Sequence, residues 1–191
     1  MDLQQWIAQD HAFVLGRFDS AISQHVPVEH WKGGSEGDSP TLAWLLFHMT
    51  YHQDLAVNTA IRNHPPLLAD HRDDLGVDHL PPWAGLTESE DAEVTIALDL
   101  DRLVAYARAV NARTREWISK LSVMALDSVP TNSYRLANLA GIPADGEMSW
   151  LHAMWDRKPV SWLVQWECIG HGHGHVGEMV GIRNRLGLSP F

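Results

Sequence analysis

Apolar positions at Leu3, Ile7, Val14, Phe18 and Ile22 recur at helical spacing and predict an amphipathic helix from about Leu3 to His25. The glycine-bearing run from His30 to Asp38 reads as a loop. A second helix is expected to start with Ser39 as its cap and Pro40 at its first position, and to end near Asn63, before Pro65 and Pro66. Its apolar face carries Leu42, Leu45, Met49, Ala56 and Ala60. The stretch that follows, to about Leu86, holds two Pro-Pro pairs and little periodicity, and reads as a long connection. A third helix is predicted by the seam Ile96, Leu100, Leu103, Ala107, Val110, Thr114, Trp117 and Leu121, which alternates steps of four and three. A second long segment, Ser122 to Lys158, is expected to hold short helices near Tyr134–Leu139 and Met148–Trp155. Pro159 then opens a fourth helix that runs to about Leu186, with Gly187 as its stop. Nothing reads as a strand. The pattern predicts an all-α fold: a four-helix bundle with two long crossover connections, as a single domain over residues 1–191.

Composition narrows what such a bundle does. Hydrophobic residues make up 45% and charged residues 20%, an ordinary globular balance. The formal net charge of −10 repels a phosphate backbone, so no nucleic-acid partner is expected. No apolar run nears the roughly 18 residues of a membrane span, so no membrane partner is expected either. The residues from Met1 to Gln5 lack a basic start, and Asp10 and His11 interrupt the stretch behind them, so the chain reads as cytoplasmic. A single cysteine, Cys168, leaves no disulfide framework. No nucleophile-elbow motif points to seryl or cysteinyl catalysis.

The 12 histidines matter through their positions. In the fourth helix His171, His173 and His175 alternate with glycine. At about 100° per residue, His171 and His175 lie about 40° apart, while His173 points away. Val164, Cys168, His171, His175, Met179, Ile182 and Leu186 share one narrow arc, so two imidazoles sit inside an apolar stripe. Burying them is costly unless their nitrogens find partners, and a shared metal supplies one to both. The second helix offers His48 and His52, again four apart, and helical phase does not choose between them.

The stretch Trp44-Leu45-Leu46-Phe47-His48-Met49, followed by His171-x-x-x-His175-x-Gly177-Glu178-Met179, resembles the DinB-like superfamily, which includes mycothiol-dependent transferases and maleylpyruvate isomerase-like proteins. The resemblance implies a four-helix bundle with His48, His171 and His175 as metal ligands. It further implies a low-molecular-weight thiol, such as mycothiol, as cosubstrate of a transferase or isomerase acting on a small-molecule substrate.

Three neutral histidines suit Zn²⁺ first, and also Ni²⁺, Fe²⁺ or Mn²⁺. His52, Cys168 and Glu178 stand where they would support the ligands or join them. Glu167 is expected to be solvated, and His11, His64, His71 and His79 to lie on the surface. A non-catalytic metal or small-molecule binding protein, or a metal-dependent hydrolase using Glu178, are the alternatives. Gly170, Gly174, Gly177 and Gly181 form a stripe that suggests close approach of another helix, and with Trp162 and Trp166 beside it a homodimer is expected. Trp6, Trp44 and Trp117 read as core, while Trp83, Trp150 and Trp155 sit in the connections and either pack them onto the bundle, the favoured reading, or line a pocket mouth.

Overall fold

In a computed structural model of the chain, residues 1–33, 40–87 and 91–190 are described. Every regular element among them is helical, so the protein is all-α. The order is α1 (Leu3–Phe18), α2 (Leu42–Asp54), α3 (Leu68–Leu75), α4 (Asp91–Ala97), α5 (Leu100–Ile118), α6 (Asn132–Ala140), α7 (Ser149–Trp155), α8 (Val160–Leu163) and α9 (His171–Arg185). Three π-helical stretches, Asp19–Ser23, Leu55–Ile61 and Val164–Gly170, extend α1, extend α2 and join α8 to α9.

The four long segments contact one another in a ring: α1 touches α5 and α9, and α2 touches the same two. Every residue from Leu42 to Ala60 is buried, so α2 and its extension are enclosed on all sides. Its polar residues therefore need internal partners. Asp54 shows how this is met. Its carboxylate accepts from Asn58 Nδ2 at 2.7 Å, Tyr106 Oη at 2.8 Å, and the backbone N–H groups of Leu67 and Leu68 at 3.0 and 2.9 Å. A buried acid on α2 thus caps α3, which was expected to be plain connection.

Other boundaries differ for equally local reasons. Ser39 lies outside the described residues, and Pro40 precedes the helix instead of opening it. The cap is Thr41, whose hydroxyl accepts the Trp44 N–H at 3.2 Å. The predicted third helix breaks near Leu98 because Asp99 starts a new one, accepting the Arg102 N–H at 3.0 Å. Ile96 is left outside the seam, on α4, and is 79% exposed. The second connection holds α6 and α7 where the pattern put them.

Within the chain, the closest helix approach falls at a glycine outside the stripe. A Cβ built on Gly174 or Gly177 would meet nothing within 4 Å, whereas one on Gly172 would stand 2.6 Å from Val14 Cγ1. Gly172 is what lets α1 reach α9. Gly172→Ala is expected to destabilise the fold by about 1–3 kcal/mol in urea titration, the usual cost of overpacking. In a Val14→Ala background that loss should shrink; an unchanged loss would mean the Val14 contact is not its cause.

Candidate metal centre

His48 comes from the middle of the enclosed α2, and His171 and His175 from the first two turns of α9. Their Nε2 atoms converge. His48 Nε2 lies 3.2 Å from His171 Nε2, and His175 Nε2 lies 2.9 Å from the same atom. Nitrogens held about 2.0–2.1 Å from one tetrahedral Zn²⁺ would stand about 3.3 Å apart. The three nitrogens are close enough to share an ion.

The far side of each ring explains why the Nε2 atoms face inward. His48 Nδ1 donates to the Gly85 carbonyl at 2.7 Å. A carbonyl only accepts, so the proton sits on Nδ1 and Nε2 keeps its lone pair. Gly85 is required there: its φ is +87°, and an added Cβ would overlap the Phe47 ring. Trp44 stacks on the His48 ring at 4.4 Å and fixes its plane. His175 Nδ1 donates to Glu178 Oε2 at 3.2 Å, which sets the same tautomer. His171 Nδ1 is buried, lacks a hydrogen-bond partner among the described residues, and has Glu167 Oε2 as a neighbouring acid at 3.9 Å. Such outer partners orient metal-binding imidazoles and raise their basicity.

Burial is the first cause that pulls His48 down to about 2, and the neighbouring His52 and His175 add to it. His171 is lowered too, again by burial first. Both rings are neutral near pH 7 and offer lone pairs with little competition from protons. His48 and His175 thus turn bare Nε2 lone pairs to His171 Nε2, which either donates its own proton to one of them or shares a cation with both; this is the sense in which the residues could hold a metal.

A second, overlapping set surrounds Glu167. This residue is only 1% exposed, against the expectation that it would be solvated. Its Oε1 accepts Trp155 Nε1–H at 2.6 Å and its Oε2 accepts His52 Nδ1–H at 3.0 Å. His52, Glu167 and His171 are also close enough to share an ion. The π-helical stretch is the reason the sequence misled. A straight α-helix puts Glu167 about 40° outside the apolar arc. The wider turn, with i→i+5 bonds, reduces the rotation per residue and swings Glu167 into it. The same change swings Cys168 away. That thiol is buried, is pushed up by burial, and belongs to no ligand set among the described residues. The spacing Glu167, His171, His175, in steps of four, was the available signal.

The other expected positions divide. His52 stands beside the three-histidine set, its ring 4.6 Å from those of His48 and His171, and its Nε2 is buried with no partner among the described residues. His11 is fully buried instead of lying on the surface, with Gln53 Nε2 donating to it at 3.0 Å, and burial lowers it to about 4. It fills the gap between Ile7 and Val14 on the α1 stripe, which is why it goes inside. His64 and His79 are exposed and His71 is half-buried. Trp6 is 49% exposed and not core, one position round from the buried Ile7. Trp117 is partly buried against the core. Trp155 is buried beneath Glu167, Trp83 is half-buried, and Trp150 is exposed, 6.4 Å from the His52 ring. Trp166, also exposed, stacks near His171 at 6.5 Å. The His171 and His175 side chains keep 15% and 12% exposure, so the centre is reachable from outside.

No family model matches the chain, and no curated protein matches it. Among solved structures, a crystal structure of a conserved protein from Enterococcus faecalis is similar, with a TM-score of 0.65 over 96% of both chains at 18% identity. At that identity the likeness is one of fold. Among the described residues, no helix is long and apolar enough to cross a membrane.

Proposed function

We propose that the protein is a metal-dependent enzyme of the DinB-like group, holding one divalent ion, Zn²⁺ first, on His48, His171 and His175. The observation that carries this is the shared orientation of the three rings, with Nδ1 of His48 and His175 tied to oxygen and all three Nε2 atoms turned to one point. Three protein ligands leave room for an outside molecule. Bound there, the ion would supply Lewis-acid chemistry, lowering the pKa of a small thiol or of water by several units.

The surrounding residues suit a thiol transferase or isomerase. Trp150 and Trp166 offer flat apolar surface beside the exposed edge of the centre, for the body of a small electrophile. Glu167 fixes His52 with its proton on Nδ1, so the buried Nε2 is an acceptor for the S–H or O–H of the entering molecule. The His52–Glu167 pair also favours a second reading, a metal-dependent hydrolase, because the same acceptor would orient water.

The test is turnover of 1-chloro-2,4-dinitrobenzene with mycothiol, glutathione or cysteine, by the metal-loaded and the metal-stripped protein. The expected result is conjugate formation with at least one thiol, rising with metal content. Equal rates with and without metal for every thiol would overturn the transferase reading. Metal-dependent ester or phosphate hydrolysis without thiol would favour the hydrolase.

A further inference from the structure

A second reactive constellation, sharing no residue with the histidine centre, lies between α6 and α7. Ser133 Oγ is 2.6 Å from His152 Nδ1, and His152 Nε2 is 3.1 Å from the Ile142 carbonyl oxygen. The carbonyl can only accept, so Nε2 carries the proton. The neutral ring then presents a bare Nδ1, and the Ser133 hydroxyl is the donor. His152 is 6% exposed, while Ser133 is exposed. A hydroxyl open to solvent, a buried base in contact with it and a third group orienting that base are the parts of an activated nucleophile.

The surroundings give this pair a place to work. Ser133 lines a surface cavity of about 350 Å³, together with Pro130, Asn132, Tyr134 and Arg157. The two sides of the cavity are pinned to each other by Asn132, whose Nδ2 donates to the carbonyls of Trp155 at 2.8 Å and Lys158 at 3.3 Å. Arg157 is held at φ +51°, a left-handed conformation that bulky residues rarely take, at the rim of the same cavity. Ser133 lies in the first turn of α6, where Thr131 makes no side-chain capping bond. The N–H groups of Ser133 and Tyr134 have no acceptor within the helix, and donors so placed stabilise an oxyanion that forms beside them.

We propose that Ser133 is the nucleophile of a second, metal-independent site that takes small acyl esters. Ser133 Oγ adds to the ester carbonyl carbon while its proton passes to His152 Nδ1. The bond from the acyl carbon to the alcohol oxygen then breaks, and the alcohol leaves with that proton. Water adds to the acyl-serine, giving a proton to His152, and the carboxylic acid departs as Ser133 regains its hydrogen. The pair was not visible as a motif, because the nucleophile elbow belongs to a strand-to-helix turn and this serine starts a helix.

The experiment uses the full chain after metal removal, so no metal-activated water contributes. Phenylmethylsulfonyl fluoride is the first probe: Ser133 Oγ displaces fluoride and His152 takes the proton. One adduct per chain is expected, mapped by mass spectrometry to the peptide carrying Ser133. Ser133→Ala should show no adduct, keep the circular dichroism of the parent, and lose the hydrolysis of p-nitrophenyl acetate. Absence of an adduct at Ser133 in the parent, or ester hydrolysis unchanged in Ser133→Ala, would overturn the proposal. Failure of the thiol assay would leave this result untouched, since that assay needs the metal.

Discussion

Replacing His171 with alanine is expected to cut bound divalent metal from about one ion per chain to a trace, measured by elemental analysis after purification without added metal. His171 stands at the crossing of the two possible ligand sets. Its Nε2 is the atom that both His48 and His175 approach, and it is also grouped with His52 and Glu167. No single substitution elsewhere removes a ligand from both. The neighbouring variants separate them. If the three histidines hold the ion, His175→Ala loses the metal and His52→Ala keeps most of it; the reverse order assigns the ion to His52, Glu167 and His171. Stability provides an independent readout, because a ligand bound only by the native state adds about 2.7 kcal/mol at a hundred times its dissociation constant. The parent should melt higher with metal than with chelator, and His171→Ala should melt the same in both. A variant that retains a full equivalent would end the metal-centre reading.

The parts of this molecule that could be read from sequence are those set by local periodicity. The amphipathic stripe of α1, the two short helices α6 and α7, and the start of the last helix at Pro159 all follow from spacing and turn residues. What escaped depends on contacts distant in sequence. The connection after α2 gains a helix because Asp54, buried on α2, supplies the acceptors for the start of α3. The enclosed state of α2 was hidden because His48, His52, Gln53, Asp54 and Asn58 look polar until their partners are known. Apart from the Asp54–Asn58 and Asn58–Arg62 pairs one turn apart, those partners are distant in sequence, on α1, α5, the π-helical stretch before α9, α9 itself and the loops. Within the site, His171 and His175 were visible because both fall inside the apolar arc of a straight helix. Glu167 was not, because its inward turn comes from a π-helical stretch that no propensity marks. Ser133 and His152 lie on separate short helices, and their meeting depends on Asn132 bonding across to the end of α7.

Glu167 is where that hidden geometry has its largest expected effect on the site. Glu167→Ala leaves Trp155 Nε1–H and His52 Nδ1–H buried without an acceptor, each at a desolvation penalty of about 1–3 kcal/mol. A loss of roughly 3 kcal/mol or more is expected in urea unfolding of the metal-free protein. Glu167→Gln keeps a single carbonyl oxygen, so one of the two donors stays satisfied and the loss should be about half as large. Metal affinity, measured against a competing chelator, then tells which part Glu167 plays. As a residue that orients His52 and sits beside His171, its removal should weaken the ion by about 10–100-fold while leaving the stoichiometry at one, the scale of lost outer partners. As a direct ligand, its removal should empty the site under the same conditions. The 3.9 Å separation between Glu167 Oε2 and His171 Nδ1 favours the first outcome, since the carboxylate lies on the side of the ring opposite the converging Nε2 atoms. Emptying of the site by Glu167→Ala, with His175→Ala still loaded, would transfer the ion to the His52 side.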